Sequence, residues 1–359
     1  MTFRVSPGDG SFDRFRMSMR KIYLDYLRVL AIIAVVTIHV TAPYYSKGYG
    51  RGESVWWVAN FLNALSRFSV PVFVMISGAL LLGKRVGVLD FYRKSSLRII
   101  PPLIFWNLIF VVFNAVIEGG VPGAVWQLKA GVFIDGYAAK HLWYLSMFSC
   151  LIFFAPFVNQ YINGDAPGER GLLVLLAAFF IFFVVEWMAS IVKDLVDVSI
   201  SWFKYFPLYM AYFIGGYFLD RHHHRLPLSV VGACVLLFIL SVVGIFGNYY
   251  YGLVSGSFRD YFVLSNTGPL LFLISFLIFL IFRRSVFFMN ERVWLLKLSE
   301  ASFGVYLIHP IFIYLVGRAL SPMADLPLAR IIISIPLVTL LSFLAVGMLR
   351  RLSFMRRVS

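Results

Sequence analysis

The chain has 359 residues, of which 60% are hydrophobic and only 14% are charged. Soluble globular domains carry about 25% charged residues, so this composition excludes a soluble protein and predicts an integral membrane protein in a lipid bilayer. The formal net charge of +15 does not indicate a nucleic-acid partner, because the basic residues lie in short segments between apolar runs. Basic residues in such loops report membrane orientation instead.

Ten apolar runs approach the length of about 20 residues that a helix needs to cross a bilayer. They lie at residues 22–44, 58–82, 98–117, 141–160, 171–192, 204–219, 227–247, 260–282, 299–318 and 328–349. The first run is long enough to span and has no obvious cleavage site, so we interpret it as a retained helix and not as a signal peptide. The segment 121–140 is too broken to span and is typical of an interfacial or re-entrant segment.

Lysine and arginine are unevenly distributed between the loops on the two sides of these runs. Both termini lie on the side that holds most of them, which predicts that both termini are cytoplasmic. The sequence therefore predicts an all-α integral membrane bundle of about ten transmembrane helices. We expect three parts, namely a basic cytoplasmic segment 1–21, a membrane domain 22–350 and a basic cytoplasmic tail 351–359.

The first predicted span carries two ionisable residues, Arg28 and His39, among apolar neighbours. Their separation of eleven residues brings both side chains to one helix face, about 16 Å apart along the helix axis. An ionisable residue within a span indicates a functional site by default. Asp25 lies three residues before Arg28, so we expect the two to pair, and such a pair can also be purely structural.

Further ionisable residues fall in other spans at a depth close to that of His39. They are Arg67 in the second span, His141 beside Trp143 at the start of the fourth, Glu186 in the fifth and His309 in the ninth. If these helices gather, the charged and imidazole groups share one cavity in the outer half of the membrane. Arg28 then lies at the inner mouth of that cavity.

Each of these residues also has a structural interpretation. His309 can bond to a backbone carbonyl that Pro310 leaves without its helical donor. His141 can be an interfacial residue in an aromatic belt. Arg67 can pair with Glu186 to hold two helices together.

Two other features look chemical but are interpreted as structural. The tract 222–224 contains three histidines, yet it lies in a short basic turn, so we expect solvated side chains and no metal site. Cys150 and Cys234 fall in different apolar runs, and we interpret both as small buried hydrophobic residues.

The cations and imidazoles together suit acyl transfer. A neutral imidazole in a dry cavity is a competent general base, and a nearby cation stabilises a developing oxyanion. The sequence has no GxSxG nucleophile motif and no glycine-rich phosphate loop. We interpret His39 as the base that activates a hydroxyl for direct attack. Arg28 suits an anionic donor, such as the phosphate-bearing part of an acyl-coenzyme A, although a transporter can use the same charges as a substrate or proton site.

Four segments resemble, in order, parts of the membrane acyltransferase-3 family. LDYLRVLAIIAVVTIH resembles the family signature of an arginine, ten residues and a histidine, while SRFSVPVFVMISGALLL, HLWYLSMFSCLIFFAPFV and SFGVYLIHPIFIY resemble its second, fourth and ninth helices. The resemblance covers nearly the whole chain and is strongest for the O-acetyltransferases of the enterobacterial common antigen type. It implies ten spans in a bacterial inner membrane, with Arg28 and His39 as the essential pair and Arg67 as the second-helix arginine.

The resemblance also implies acetyl-CoA as the donor, a hydroxyl of a cell-surface or lipid-linked polysaccharide as the acceptor, and neither a permanently bound cofactor nor a metal. The residues expected to be catalytic are His39, Arg28 and Arg67. Those expected to contact substrate are His141, Trp143, His309, Asp25 and Glu186. The alternatives are a transporter or flippase of a lipid-linked sugar or acyl group, and a non-catalytic membrane partner of glycan assembly. The sequence gives no indication of an oligomeric state.

Overall fold

The computed structural model describes residues 21–46, 53–84, 87–118, 139–164, 173, 176, 180, 184, 187, 206–255, 262–286, 289–290 and 292–352. All regular secondary structure within these ranges is helical, which confirms the predicted all-α architecture. We number the α-helices bounded in these ranges in chain order. They are α1 Ile22–Ser46, α2 Ser54–Ser66, α3 Ser69–Leu81, α4 Val88–Glu118, α5 Trp143–Asn163, α6 Phe206–His222, α7 Val230–Ser255, α8 Pro269–Arg284, α9 Val293–Ala319 and α10 Pro327–Leu349.

Seven stretches of the described chain are long and apolar enough to cross a membrane. They are α1, the consecutive pair α2 and α3, α4, α5 with its preceding turn, α7, α9 and α10. Helices α6 and α8 have only 17 and 16 residues. A multi-pass membrane protein is therefore supported, while the total of ten spans, the cytoplasmic termini and the domain bounds stay predictions. The segment 121–140 and the fifth predicted run, 171–192, lie largely outside the described residues.

The predicted second span is interrupted at Arg67 and Phe68, where α2 ends and α3 begins. Proline has no backbone N–H, so Pro71 cannot donate a hydrogen bond to the carbonyl of Arg67, four residues earlier. The turn is tightened there, since the Arg67 N–H bonds to the carbonyl of Ala64, only three residues back, at 3.3 Å. The interruption therefore falls at the only charged residue between Ser54 and Leu81.

Helix α1 is the central element of the bundle, because it contacts α2, α3, α8, α9 and α10. Its side chains Leu27, Ala31, Ile32 and Val36 are completely buried. A fully buried Leu, Ile or Val side chain contributes about 1.5–3 kcal/mol relative to exposure to water. In a bilayer the surroundings of a helix are also apolar, so this burial energy orients the helix less strongly than it would in water. Close packing therefore decides which helix faces meet.

The closest helix contact joins α3 to α6 through two glycines. A Cβ added to Gly78 would lie 1.7 Å from the carbonyl oxygen of Phe213, and one added to Gly216 would lie 1.9 Å from the carbonyl oxygen of Met75. Both positions therefore exclude any side chain, which is the usual way in which membrane helices approach each other backbone to backbone. This contact fixes α3, which forms one wall of the cavity described below.

A buried carboxylate ties three helices together at one end of the bundle, which we call the basic end. Asp220 on α6 is 4% exposed and accepts a hydrogen bond from the Tyr23 hydroxyl at 2.7 Å. The Lys21 ammonium contacts the same carboxylate, and the Arg283 guanidinium lies 3.7 Å from it. A buried carboxylate is costly without cations beside it, so these contacts fix the ends of α1, α6 and α8.

The two cysteines do not lie where the sequence suggested. Cys150 on α5 and Cys234 on α7 are free thiols on exposed faces of the bundle, so the expectation of buried residues was wrong. The physical reason is that a bilayer reverses the usual rule: apolar residues also cover the outside of a membrane bundle, and hydrophobicity alone does not place a residue in its core.

Candidate active site

A cavity of about 1030 Å³ lies between α1, α3, α4, α5 and α9, a size typical of small-molecule sites. It contains most of the residues singled out in the sequence. Those that line it are Arg28, His39, Arg67, His141 and Trp143. Asp25 and His309 lie directly behind this lining, and Glu186 lies outside the described residues. The structure therefore gathers residues from three of the predicted spans around one space, whereas their roles remain predictions.

Arg28 and His39 both face this cavity from α1, as their spacing requires. The rise of an α-helix separates them by about 16 Å, so they line different ends of the space. Arg28 belongs to the basic end of the bundle. His39 lies toward the opposite end, next to Arg67, whose guanidinium is close enough to act on it electrostatically.

Asp25 holds Arg28 in place from behind the cavity. The Asp25 carboxylate is 1% exposed and accepts a hydrogen bond from the Ser299 hydroxyl of α9 at 2.5 Å. The Arg28 guanidinium donates to the same carboxylate oxygen at 3.3 Å. Asp25 is thus buried between α1 and α9 and orients Arg28, while its predicted contact with substrate stays a prediction.

Three imidazole rings converge at the other end of the cavity. The ring centroids of His39 and His309 are 5.0 Å apart, those of His141 and His309 5.3 Å, and those of His39 and His141 6.4 Å. His39 and His141 line the cavity, while His309 is completely buried and is not part of the lining. His309 therefore does not border the cavity, and its predicted contact with substrate stays a prediction.

Helix α9 fixes His141 at the cavity wall. His141 lies in the 3₁₀ turn Lys140–Leu142 that precedes α5, and it is 4% exposed. The Tyr306 hydroxyl donates a hydrogen bond to the carbonyl oxygen of His141, and the His141 ring bonds to the backbone of Leu307. His141 is thus held by α9 through one bond to its ring and one to its own backbone carbonyl. Its neighbour Trp143 lines the same cavity and packs against Tyr209.

The cavity also contains polar residues that the sequence analysis did not assign to a site. They are Ser69, Ser77, Arg98, Tyr144, Asn266, Ser302 and Tyr306. Of these, Arg98 lies on α4 and Asn266 lies in the loop before α8. Tyrosines and serines in apolar helices give no signal of their own, since the same residues are common in helix packing.

Positive charge concentrates where the cavity meets the basic end. Arg28 and Arg98 line it there. Burial, together with the positive charges of Lys21 and Arg98, lowers the pKa of the nearby Lys84 ammonium. The direction shows that these cations are close enough to repel one another, so an anion bound among them would relieve unfavourable charge.

The described residues contain no group of three or more His, Cys, Asp or Glu side chains with the geometry of a metal site. The histidines of the tract 222–224 lie at the end of α6 and in the following 3₁₀ turn. There Arg284 donates to the backbone carbonyls of His223 and Leu226. The tract is thus part of a loop at the basic end, and none of its histidines lines the cavity.

Comparison with known proteins gives one match. The acyltransferase-3 family model, described as an acyltransferase domain, matches residues 21–347. No curated protein and no solved structure matches the chain significantly. The matched range includes every residue of the cavity described above.

Proposed function

The chain belongs to the acyltransferase-3 family and is a membrane acyltransferase, and on that premise we propose that it is an O-acetyltransferase. The donor is acetyl-CoA and the acceptor is a hydroxyl of a cell-surface or lipid-linked polysaccharide. The observation that carries the proposal is the single cavity with fixed cations at one end and imidazoles at the other. A transfer between two substrates needs both an anion-binding region and a general base within one space.

The basic end of the cavity suits the phosphates of coenzyme A. Arg28 is oriented by Asp25 and Ser299, and Arg98 and Lys84 add positive charge around it. Charge-assisted hydrogen bonds from arginine to phosphate are stronger than neutral ones, and they orient the bound group. The thioester then extends along α1 toward His39. With both termini in the cytoplasm, as the loop charges predict, the donor enters from the cytoplasmic side.

The opposite end of the cavity suits the reaction itself. His39 accepts the proton of the acceptor hydroxyl while its oxygen bonds to the thioester carbonyl carbon. The Arg67 guanidinium lies beside His39 and stabilises the negative charge that develops on the carbonyl oxygen. The carbon–sulfur bond then breaks, and the leaving thiolate takes the proton back from His39. Trp143 and His141 border the space that the acceptor sugar occupies.

The proposal is tested with labelled acetyl-CoA and sealed membrane vesicles. Inside-out vesicles present the cytoplasmic face to the donor, and right-side-out vesicles do not. We expect label in the polysaccharide or lipid-linked fraction of inside-out vesicles that contain the wild-type protein, and none with His39→Ala at matched protein level. His224→Ala, which changes a loop histidine outside the cavity, serves as the control and should match the wild type.

Two results would count against the proposal. Equal labelling by wild type and His39→Ala would show that His39 is not the general base and would favour the transporter alternative. Labelling only in right-side-out vesicles would place the donor site on the other face of the membrane, and the basic end would then have a different ligand.

A further inference from the structure

The dipeptide His309-Pro310 on α9 determines which nitrogen of the His309 ring carries a proton. Pro310 has no backbone N–H, so the carbonyl of Tyr306, four residues earlier, lacks the donor that an α-helix would supply. Nδ1 of His309 lies 2.8 Å from that carbonyl oxygen and 3.2 Å from the carbonyl oxygen of Val305. Carbonyl oxygens only accept hydrogen bonds, so Nδ1 is the protonated nitrogen of the neutral ring.

The other nitrogen of this ring is consequently a buried acceptor. In a neutral imidazole with a proton on Nδ1, the lone pair is on Nε2. His309 is completely buried, and its Nε2 has no hydrogen-bond partner among the described residues. An unsatisfied acceptor in a low-dielectric environment costs about 1–3 kcal/mol, so such an atom needs an explanation.

His39 lies in the right place to supply the missing donor. Its ring centroid is 5.0 Å from that of His309, the shortest of the three distances in the cluster. Rotation about the side-chain bonds at this separation brings a nitrogen of one ring to hydrogen-bond distance from a nitrogen of the other. His141 does not compete as a donor from Nε2: its ring bonds to the Leu307 backbone, and its own Nε2 also has no partner in the described chain.

We propose that His309 is a positioning residue for the general base, accepting a hydrogen bond at Nε2 from His39. This inference rests on the proposed function of His39. One ring nitrogen of His39 then donates to His309, and the other carries its lone pair into the cavity, toward the acceptor hydroxyl. When His39 takes the hydroxyl proton, its second N–H remains bonded to His309, which stabilises the imidazolium until the thiolate removes the proton. His309 itself gains and loses no proton in this sequence.

In this arrangement His309 orients the general base, as a carboxylate does in catalytic triads. A neutral imidazole suits a membrane interior better than a carboxylate, because a buried charge without a paired cation is expensive there. The backbone carbonyls of Val305 and Tyr306 take the place of a third orienting group.

Two amide substitutions separate this role from simple helix packing. The amide group of Asn in His309→Asn occupies the region of Nδ1, so it can still bond to the Tyr306 carbonyl but leaves nothing near His39. The longer side chain in His309→Gln places its amide in the region of Nε2 and keeps a hydrogen-bonding group beside His39. We expect kcat to fall about 100-fold in His309→Asn and less than 10-fold in His309→Gln, with the KM for acetyl-CoA unchanged in both.

Equal activity of the two variants, or full activity of His309→Asn in a preparation where His39→Ala is inactive, would overturn the positioning role and leave the proposed function intact. If His39→Ala is active, the result contradicts the proposed function itself. Thermal unfolding in detergent checks that both His309 variants are folded. A third variant, Pro310→Ala, restores a backbone N–H donor to the Tyr306 carbonyl. Its matched control is Pro336→Ala, which also removes a proline from within a helix but supplies no donor to that carbonyl.

A spectroscopic measurement reads the tautomer directly. In the protein labelled with ¹⁵N-histidine, the signal lost in His309→Gln identifies His309 among the six histidines. We expect a protonated Nδ1 and an unprotonated Nε2 in the wild type, and loss of this preference in Pro310→Ala. A protonated Nε2 would overturn the inference, and so would a metal ion bound in stoichiometric amount and lost on mutation of any one of His39, His141 and His309.

Discussion

The two ends of the cavity hold their functional groups in different ways. At the basic end, permanent charges are fixed by opposite charges, as Asp25 fixes Arg28 and Asp220 fixes Lys21 and Arg283. At the opposite end, three imidazoles meet, and backbone carbonyls of α9 orient His309. Fixed charges suit the binding of an anion, which does not change its charge during the reaction. Imidazoles suit the transfer of a proton, because one ring nitrogen accepts a proton while the other donates a hydrogen bond.

The largest expected effect is at the imidazole end. His39→Ala removes the proposed base, and loss of a general base lowers the rate about 10²–10⁴-fold, or about 3–5 kcal/mol in the activation free energy. Steady-state kinetics on purified protein at matched concentration measures this change. His224→Ala should retain full kcat, and a comparable loss in that loop variant would show that the assay responds to histidine changes in general.

The next largest effect is expected for the contact between α3 and α6, which supports one wall of the cavity. Gly78→Ala places a Cβ 1.7 Å from the Phe213 carbonyl oxygen, so α3 and α6 must move apart. Overpacking of this kind costs about 1–3 kcal/mol or more, because the obstructing atom is backbone. We expect a lower unfolding temperature in detergent and lower kcat. Gly317→Ala is the matched control, since a Cβ there meets no atom within 4 Å, and it should leave both quantities unchanged.

A smaller effect is expected at the basic end. Asp25→Asn keeps the shape of the side chain and an acceptor for Ser299 but removes the charge that orients Arg28. We expect the KM for acetyl-CoA to rise about 10-fold, equivalent to about 1.4 kcal/mol, with little change in kcat. Asp325→Asn, at an exposed position at the other end of the bundle, should change neither value. A fall in kcat with an unchanged KM would indicate that Asp25 acts in the chemical step and not in donor binding.

The smallest effect is expected for the charge nearest the solvent. Lys84→Gln removes a cation close to Lys21 and Arg98. The KM for acetyl-CoA should rise about two- to threefold at low ionic strength, and the difference should disappear near 0.5 M salt, where charges are screened within about 5 Å. Lys297→Gln, at an exposed position on α9, is the control. A salt-independent effect would indicate a direct contact within the cavity.

Local periodicity was sufficient to predict the geometry of α1. The positions of Arg28 and His39 on one face follow from 3.6 residues per turn, and apolar run lengths predicted most of the helices. The break at Arg67 could also have been predicted, because Pro71 follows four residues later.

Contacts between distant parts of the chain could not be predicted in this way. Ser299 lies 274 residues from Asp25, and nothing in its apolar helix marks it as a partner of a carboxylate. Hydropathy gives the depth of His309 in its span but not the direction in which the ring points, so its burial next to His39, outside the cavity lining, was not predicted. Asp220 was missed for a related reason, since a charge near a helix end is usually interpreted as solvated.

Equilibrium binding of coenzyme A to purified wild-type protein, Arg28→Ala and His39→Ala tests the division between the two ends most directly. If the basic end binds the donor and the imidazole end performs the chemistry, Arg28→Ala binds coenzyme A at least about 10-fold more weakly, a loss of about 1.4 kcal/mol. His39→Ala should bind it as the wild type does while remaining inactive. Wild-type affinity in Arg28→Ala, with weakened binding in His39→Ala, would contradict the account.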